Sequence, residues 1–319
     1  MADAERELHE KLLTELYNSH GYQPSFFDYG EFAEKLGLKK EGLDRVFSDL
    51  KYEGLVEASA LGRAVQLTAK GALFVEQHGL ADSALIAENR EARIEFLGNL
   101  ADMCAEDGPE AFYHWETVAN RGTTNRAALD RNLLLMSGAD VIDFVSMQTV
   151  QLTRHGLSYI TRVREERSIK SEFETLKGGA LTPQARGHAL EVLMERACNL
   201  HGVDVERNVK ADNEENDLII QYDTHHFIVS CKWEKKPVGM PAVTDLFYRV
   251  SIRPHSYGII ASMSGFAGTV EVGARESMGQ AIMLLFGPTD IERWLEGEIL
   301  DAVLQKLDHV AKRKQFRWN

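Results

Sequence analysis

The sequence predicts an α+β multidomain protein: two copies of a small helical module with a β-hairpin, then an α/β domain built on a central sheet. Three observations carry this expectation. The first half repeats itself, with LDR beginning at Leu43 and again at Leu129, and VQLT at Val65 and again at Val150. The second half alternates apolar runs in the order helix, three strands, helix, strand, helix, strand. Between them Gly178–Gly179 breaks a helical stretch, and Leu181–Thr182–Pro183 starts a new one. The expected domains are therefore 1–82, 83–178 and 181–319, within reach of a 319-residue chain.

Composition narrows the class. A hydrophobic content of 44% with 27% charged residues is ordinary for a globular protein. No apolar run reaches transmembrane length, and MADAERELHE does not read as a signal peptide, so no membrane is expected. Cys104, Cys198 and Cys231 have no metal-like spacing, and their sparseness predicts a cytoplasmic protein. Net charge is −13, and it is uneven. From Leu181 onward there are sixteen Lys/Arg and nineteen Asp/Glu, against twenty and thirty before it. An acidic first half disfavours a broad electrostatic grip on DNA, although it leaves room for a local basic face. The closing AKRKQFRWN is a small basic tail, expected to be solvated.

Each repeat reads as a helix, a short helix, a turn, a second helix and two strands. EGLVEAS with AVQLT makes one strand pair, and ADVIDFV with TVQLT makes the other. The pattern resembles a winged helix, a helix-turn-helix with a β-hairpin wing. That resemblance implies a recognition helix through each LDR segment. Copy one offers Lys39, Lys40, Arg45 and Lys51 among Glu41, Asp44 and Asp49. Copy two offers Arg126 and Arg131, with Thr123, Thr124 and Asn125 at its start to cap the helix or meet phosphate. Lys39, Lys40, Arg126 and Arg131 are the candidate nucleic-acid contacts. Modules of this kind also bind proteins, so the acidic half is a candidate protein-docking region. SYITRVREERSIKSEFETLKGG follows as an exposed helix continuing the second module.

In the second half, Leu190, Leu193, Met194, Ala197 and Leu200 mark a helix that Gly202 stops. Val203–Val209 forms a strand. DLIIQY and HFIVSCKW form a hairpin, turning through Asp223, Thr224 and His225. A helix starts at Pro241, SYGIIASMSG is a buried strand, FAGTVEVGARESMG is a helix, and AIMLLFG is a last buried strand. Strand alternation puts Ser230 and Lys232 on one face of the hairpin, and Val229, Cys231 and Trp233 on the other. Asp217 opens the first strand of the hairpin. A carboxylate, a hydroxyl and a lysine gathered there suit a metal–phosphate site; the alternative is that Asp217 and Lys232 mark exposed strand ends.

From about Arg186 to Trp294 these elements resemble the Mrr-like branch of the PD-(D/E)xK restriction endonucleases. The matching pieces are RGHALEVLMERACNLHGV, FIVSCKWEKKPVG, GIIASMSGFAG and LLFGPTDIERWL. The resemblance implies a Mg²⁺- or Mn²⁺-dependent endonuclease of a bacterial restriction or defence type acting on DNA. Carried across, its site residues are Glu191 on the first helix, Asp217, Ser230 and Lys232. Asp217 would be the principal metal ligand, and Lys232 would orient water or balance phosphate charge. Ser230 stands where the family has Glu, Asp or Gln. Some restriction enzymes with Ser-x-Lys draw a carboxylate from the next helix, which makes Asp245 the candidate second metal ligand here; Glu234 is another. A homodimer is a further expectation. Two alternatives stay open: a catalytically silent nuclease fold that binds DNA or acts as a scaffold, and a transcription regulator working through its winged helices.

Overall fold

The computed structural model describes residues 2–20, 27–28, 34, 37, 40–58, 64–123, 125–179, 181–211, 214–277 and 280–313. The chain divides into two compact units, 1–163 and 164–319.

In the first unit, α1 (Ala2–His20), β1 (Phe27–Asp28), α2 (Lys40–Tyr52), β2 (Val56–Ala58), β3 (Ala64–Leu67) and α3 (Ala69–Gln77) form the first repeat. The second comprises α4 (Ser83–Asp107), β4 (Phe112–His114), α5 (Trp115–Ala119), α6 (Arg126–Gly138), β5 (Ile142–Ser146), β6 (Thr149–Leu152) and the start of α7 (Arg154–Lys177). Each copy has a three-stranded antiparallel sheet, ordered β1-β3-β2 and β4-β6-β5. Neither is a plain helical bundle. The first strand of each sheet is an addition to the two strands expected from sequence. The short helix expected in copy one falls outside the described residues, as do Lys39 and Thr124.

The repeated Leu-Thr-x-x-Gly has a physical cause. Thr68 Oγ1 donates to the Gly54 carbonyl (2.8 Å) and accepts from the Gly71 amide (3.0 Å). Thr153 does the same with Asp140 (2.6 Å) and Gly156 (2.9 Å). One threonine thus ends the last strand and caps the next helix. Gly54 (φ 74°) and Asp140 (φ 57°) hold the left-handed turn in front of the strand pair. A Cβ on Gly71 or Gly156 would run into the backbone carbonyl of Leu55 or Val141. Gly156→Ala should therefore destabilise the unit by about 1–3 kcal/mol, the usual range for overpacking. Urea unfolding checks this, and a change within error would show that the contact yields freely.

Buried polar groups join the two copies. Glu76 of α3 is bonded by Tyr17 of α1 (2.8 Å) and by Arg93 of α4 (3.0 Å). Arg93 also donates to Asn132 of α6 (2.6 Å), and Asn132 donates to Asn89 (3.1 Å). Asn89 returns to the Tyr17 hydroxyl (2.9 Å). Every member meets another, as buried polar groups require.

The second unit is a five-stranded sheet with helices on both faces. Its elements are α8 (Pro183–Leu200), β7 (Asp204–Ala211), β8 (Glu214–Tyr222), β9 (His225–Lys232), α9 (Met240–Ser251), β10 (Ser256–Ser262), α10 (Gly268–Ser277), β11 (Met283–Phe286), α11 (Pro288–Leu295) and α12 (Ile299–Arg313). The order of the first eight follows the sequence expectation. Strand order is β11-β10-β9-β8-β7, with β7–β9 antiparallel and β9–β11 parallel. Thr182 caps α8, and Pro183 occupies its first turn. Leu190, Met194 and Ala197 bury against Leu218, Phe227 and Val229 of the sheet. Trp294 is fully buried and donates to the Met194 carbonyl (3.2 Å). The latter half of α7 corrects the exposed helix expected there: Ile169, Phe173 and Leu176 enter this core, and Arg196 of α8 bonds Glu165 (2.7 Å) and Glu172 (2.8 Å). Among the described residues, no helix is long and apolar enough to cross a membrane.

Candidate active site

The β8–β9 hairpin sets the site. Leu218 lies opposite Val229 and Ile219 opposite Ile228. Carried one residue further, that register sets Asp217 opposite Ser230, so Asp217, Ser230 and Lys232 share a face. Asp217 Oδ2 accepts from the Cys231 amide at 2.8 Å, which fixes the carboxylate beside the end of β9. At this end of the sheet lies a cavity of about 640 Å³ whose wall includes Glu191, Asp217 and Lys232, with His188, Asn208 and Glu234. Three groups remote in sequence thus converge, one from each of α8, β8 and β9.

Burial raises the pKa of Glu191 above the ordinary glutamate value, and the negative charge of Asp217 raises it further; a hydrogen bond from His188 and the charge of Lys232 pull it back. His188 Nδ1 lies 3.2 Å from Glu191 Oε2, one turn back on the same helix. Two carboxylates that penalise one another are a place for a cation. Magnesium needs only one or two protein carboxylates, with water and phosphate filling the rest of its shell. Among the described residues, no three His, Cys, Asp or Glu groups gather closely enough to hold a metal alone. Asp217 with Glu191 fits the lighter requirement.

Of the remaining candidates, Ser230 and Asp245 lie off the cavity wall. Ser230 is buried, at 2% exposure, and is not part of the cavity wall. Asp245 is a correction. Its side chain is 70% exposed, Arg249 one turn on holds it at 2.7 Å, and it is absent from the cavity. Helix α9 faces it to solvent, while Glu191 is on the cavity wall with Asp217. Asp245→Asn should accordingly leave cleavage within about twofold, as for most surface changes; a loss beyond tenfold in a nicking assay would restore it to the site. Glu234 lies past the end of β9, where its carbonyl accepts from Ser264 Oγ.

Asn208 was not expected. The pairs Arg207–Leu218 and Val209–Asn216 bracket it opposite Asp217, yet its φ is +55°. A left-handed residue inside a strand interrupts the ladder and turns an amide side chain to the cavity. His188 had only the signal of lying three residues before Glu191.

In the first unit, Arg126 sits 4.0 Å over the Trp115 ring and pairs with Glu116 (3.0 Å) and Asp130 (3.1 Å). Arg131 pairs with Glu88 (3.2 Å) and bonds Asn89 (3.4 Å). Their charges are met inside the module. Lys40 opens α2, and its side chain lies outside the described residues.

Residues 183–294 match the family model of a restriction endonuclease. No curated protein matches the chain. Among solved structures, it is similar to restriction endonuclease FokI bound to DNA, at 11% identity over 99% of this chain and 74% of that one, with a TM-score of 0.34. It is similar to MspJI restriction endonuclease in complex with a 27-mer oligonucleotide, at 14% identity over 48% and 36%, with a TM-score of 0.27. A third is Can2 from Sulfobacillus thermosulfidooxidans in complex with cyclic tetra-adenylate, at 11% identity over 86% and 78%, with a TM-score of 0.25. At these scores the family match, not the neighbours, carries the assignment of residues 183–294.

Proposed function

From the restriction endonuclease match across residues 183–294, we propose that the protein is a metal-dependent DNA endonuclease of the restriction or defence type. The observation that carries this is the convergence of Glu191, Asp217 and Lys232 on one cavity at the end of the hairpin.

Phosphodiester hydrolysis needs an activated water, stabilised charge on the phosphorane and a leaving oxygen relieved of charge. Asp217 and Glu191 are the residues that would hold Mg²⁺ or Mn²⁺, which supplies Lewis-acid stabilisation and a more acidic water. Asp217 is locked in place by the Cys231 amide, so its orientation does not depend on an ion. Lys232 brings an ammonium to the non-bridging phosphate oxygens, where negative charge builds. His188 steadies Glu191 through its 3.2 Å contact.

Residues 1–82 and 83–178 are read as winged-helix modules. The support is their order of elements and the three-stranded sheet in each. With Arg126 and Arg131 paired internally, regulation or protein docking suits them better than base reading.

The second reading is a silent nuclease fold used as a DNA-binding scaffold. Ser230, buried at the family's acidic position, favours it. Incubating supercoiled plasmid with the protein in Mg²⁺, Mn²⁺ or chelator separates the two. Nicked or linear product with metal alone supports the enzyme; intact plasmid in every condition leaves the scaffold.

The raised pKa of Glu191 makes a further prediction. The folded state favours its protonated form, so stability falls as pH rises from the ordinary glutamate value through the raised one. Glu191→Gln removes that loss. Above this window, in chelator, the variant should melt at a higher temperature than the parent, while cleaving plasmid more slowly. A lower melting point at neutral pH would contradict the crowded carboxylates.

A further inference from the structure

A second cavity, of about 650 Å³, opens where β10 and β11 end. Its rim meets that of the candidate active site. Ser264 lines the second cavity and donates to the carbonyl of Glu234, which lines the first. Two further bonds brace the junction: Val238 donates to the Gly265 carbonyl (2.9 Å) and Ala267 to the Val238 carbonyl (2.9 Å). Lys232 and Ser262 are neighbours across β9 and β10. The two cavities therefore open side by side along one end of the sheet, about two strand spacings or ~10 Å apart.

The second cavity has an apolar wall of Phe266, Leu285 and Pro288 and a polar side formed by Arg293, Lys306 and the Asp290 carboxylate. Lys306 is only 3% exposed. It bonds Asp290 and lies 4.8 Å from the centre of the Phe286 ring. Asp290 also accepts from the Gly287 amide (2.8 Å), so this carboxylate is committed to the turn. Arg293 is held by Glu298 (2.8 Å), itself 52% exposed, and by Gln305 (3.2 Å). A surface pair of this kind is weak and yields to a stronger anion. A buried lysine pair adds little to stability by itself, which makes its placement on a cavity wall informative. An apolar wall facing two cations suits a flat ring carrying a phosphate.

We propose that this second cavity is a nucleotide subsite that holds a base and phosphate of the strand next to the scissile bond. The inference rests on the nuclease reading for its strand path, while the pocket itself rests on the residues just named. An unpaired or displaced nucleotide would set its ring against Phe266 and its phosphate against Arg293 and Lys306.

The test uses the full chain with Asp217→Ala, so that no probe is consumed. Deoxyadenosine monophosphate and an end-labelled single-stranded tetranucleotide are titrated against this protein and against the same protein with Arg293→Ala. Phe266→Ala serves as a second variant, and melting curves confirm folding. The tetranucleotide should bind more tightly than the monophosphate, and each cavity variant should weaken both by about tenfold, the loss expected for one charge-assisted contact. Equal binding by parent and variants overturns the proposal. Binding of the monophosphate without the tetranucleotide also overturns it, in favour of a free ligand. Plasmid cleavage by the Asp217-containing chain is scored separately. Cleavage with unaltered binding in the variants removes the subsite alone; variant-sensitive binding with no cleavage removes the nuclease reading alone.

Discussion

Lys232→Ala should lower metal-dependent plasmid cleavage by about a hundred- to a thousandfold while leaving the melting temperature within a few degrees. Lys232 closes β9 on the wall of the candidate cavity, beside Asp217 and Glu191. No other Lys or Arg lines that cavity among the described residues. Losing one group that stabilises charge in the transition state costs about 10²–10³ in rate. The stability effect is small because Lys232 ends its strand at the cavity wall rather than in the apolar core. Lys232→Arg keeps the charge but not the compact ammonium, and should recover only part of the rate. Cleavage unchanged in Lys232→Ala would remove the lysine from the chemistry.

Arg93→Met should destabilise the first unit by about 3–5 kcal/mol, because it leaves Glu76 buried without its cation. Arg93 and Glu76 are 7% and 8% exposed. The same guanidinium holds Asn132, so the loss spreads across the contact between the two repeats. For a unit of this size the melting point should fall by on the order of 10 °C. Adding Glu76→Leu removes the stranded charge and should return much of the loss. Tyr17, whose hydroxyl is pushed to a higher pKa by burial and by Glu76, would still accept from Asn89 and would then donate to water. A single-variant cost under about 1 kcal/mol would show that water reaches Glu76.

How much of this was legible in the sequence depended on the length of each signal. The repeat was readable because one threonine and one glycine do the same work twice, at Thr68 and Gly71 and at Thr153 and Gly156. The order of elements in the second unit was readable because GIIAS and MLLF are buried through their length. The strands Phe27–Asp28 and Phe112–His114 are too short to show a period. Ile169, Phe173 and Leu176 do follow helical spacing, but charged neighbours dilute it, and only the tertiary fold shows that this stripe is covered. Asp217 and Lys232 were visible as charges at the ends of apolar strands. Asn208 was not, since a left-handed residue in a strand leaves no composition signal. Asp245 misled because its rotation about α9 is set by burial of Val243 and Leu246, which the sequence offers without saying where the sheet lies.

The most direct measurement is cleavage of supercoiled plasmid by the wild-type chain beside Asp217→Ala, in Mg²⁺ and at equal protein concentration. Asp217 is the carboxylate that the hairpin and the Cys231 amide fix at the cavity wall. Nicking by the wild type and none by Asp217→Ala, with both proteins melting normally, is the predicted result. Equal nicking by the two would contradict the site.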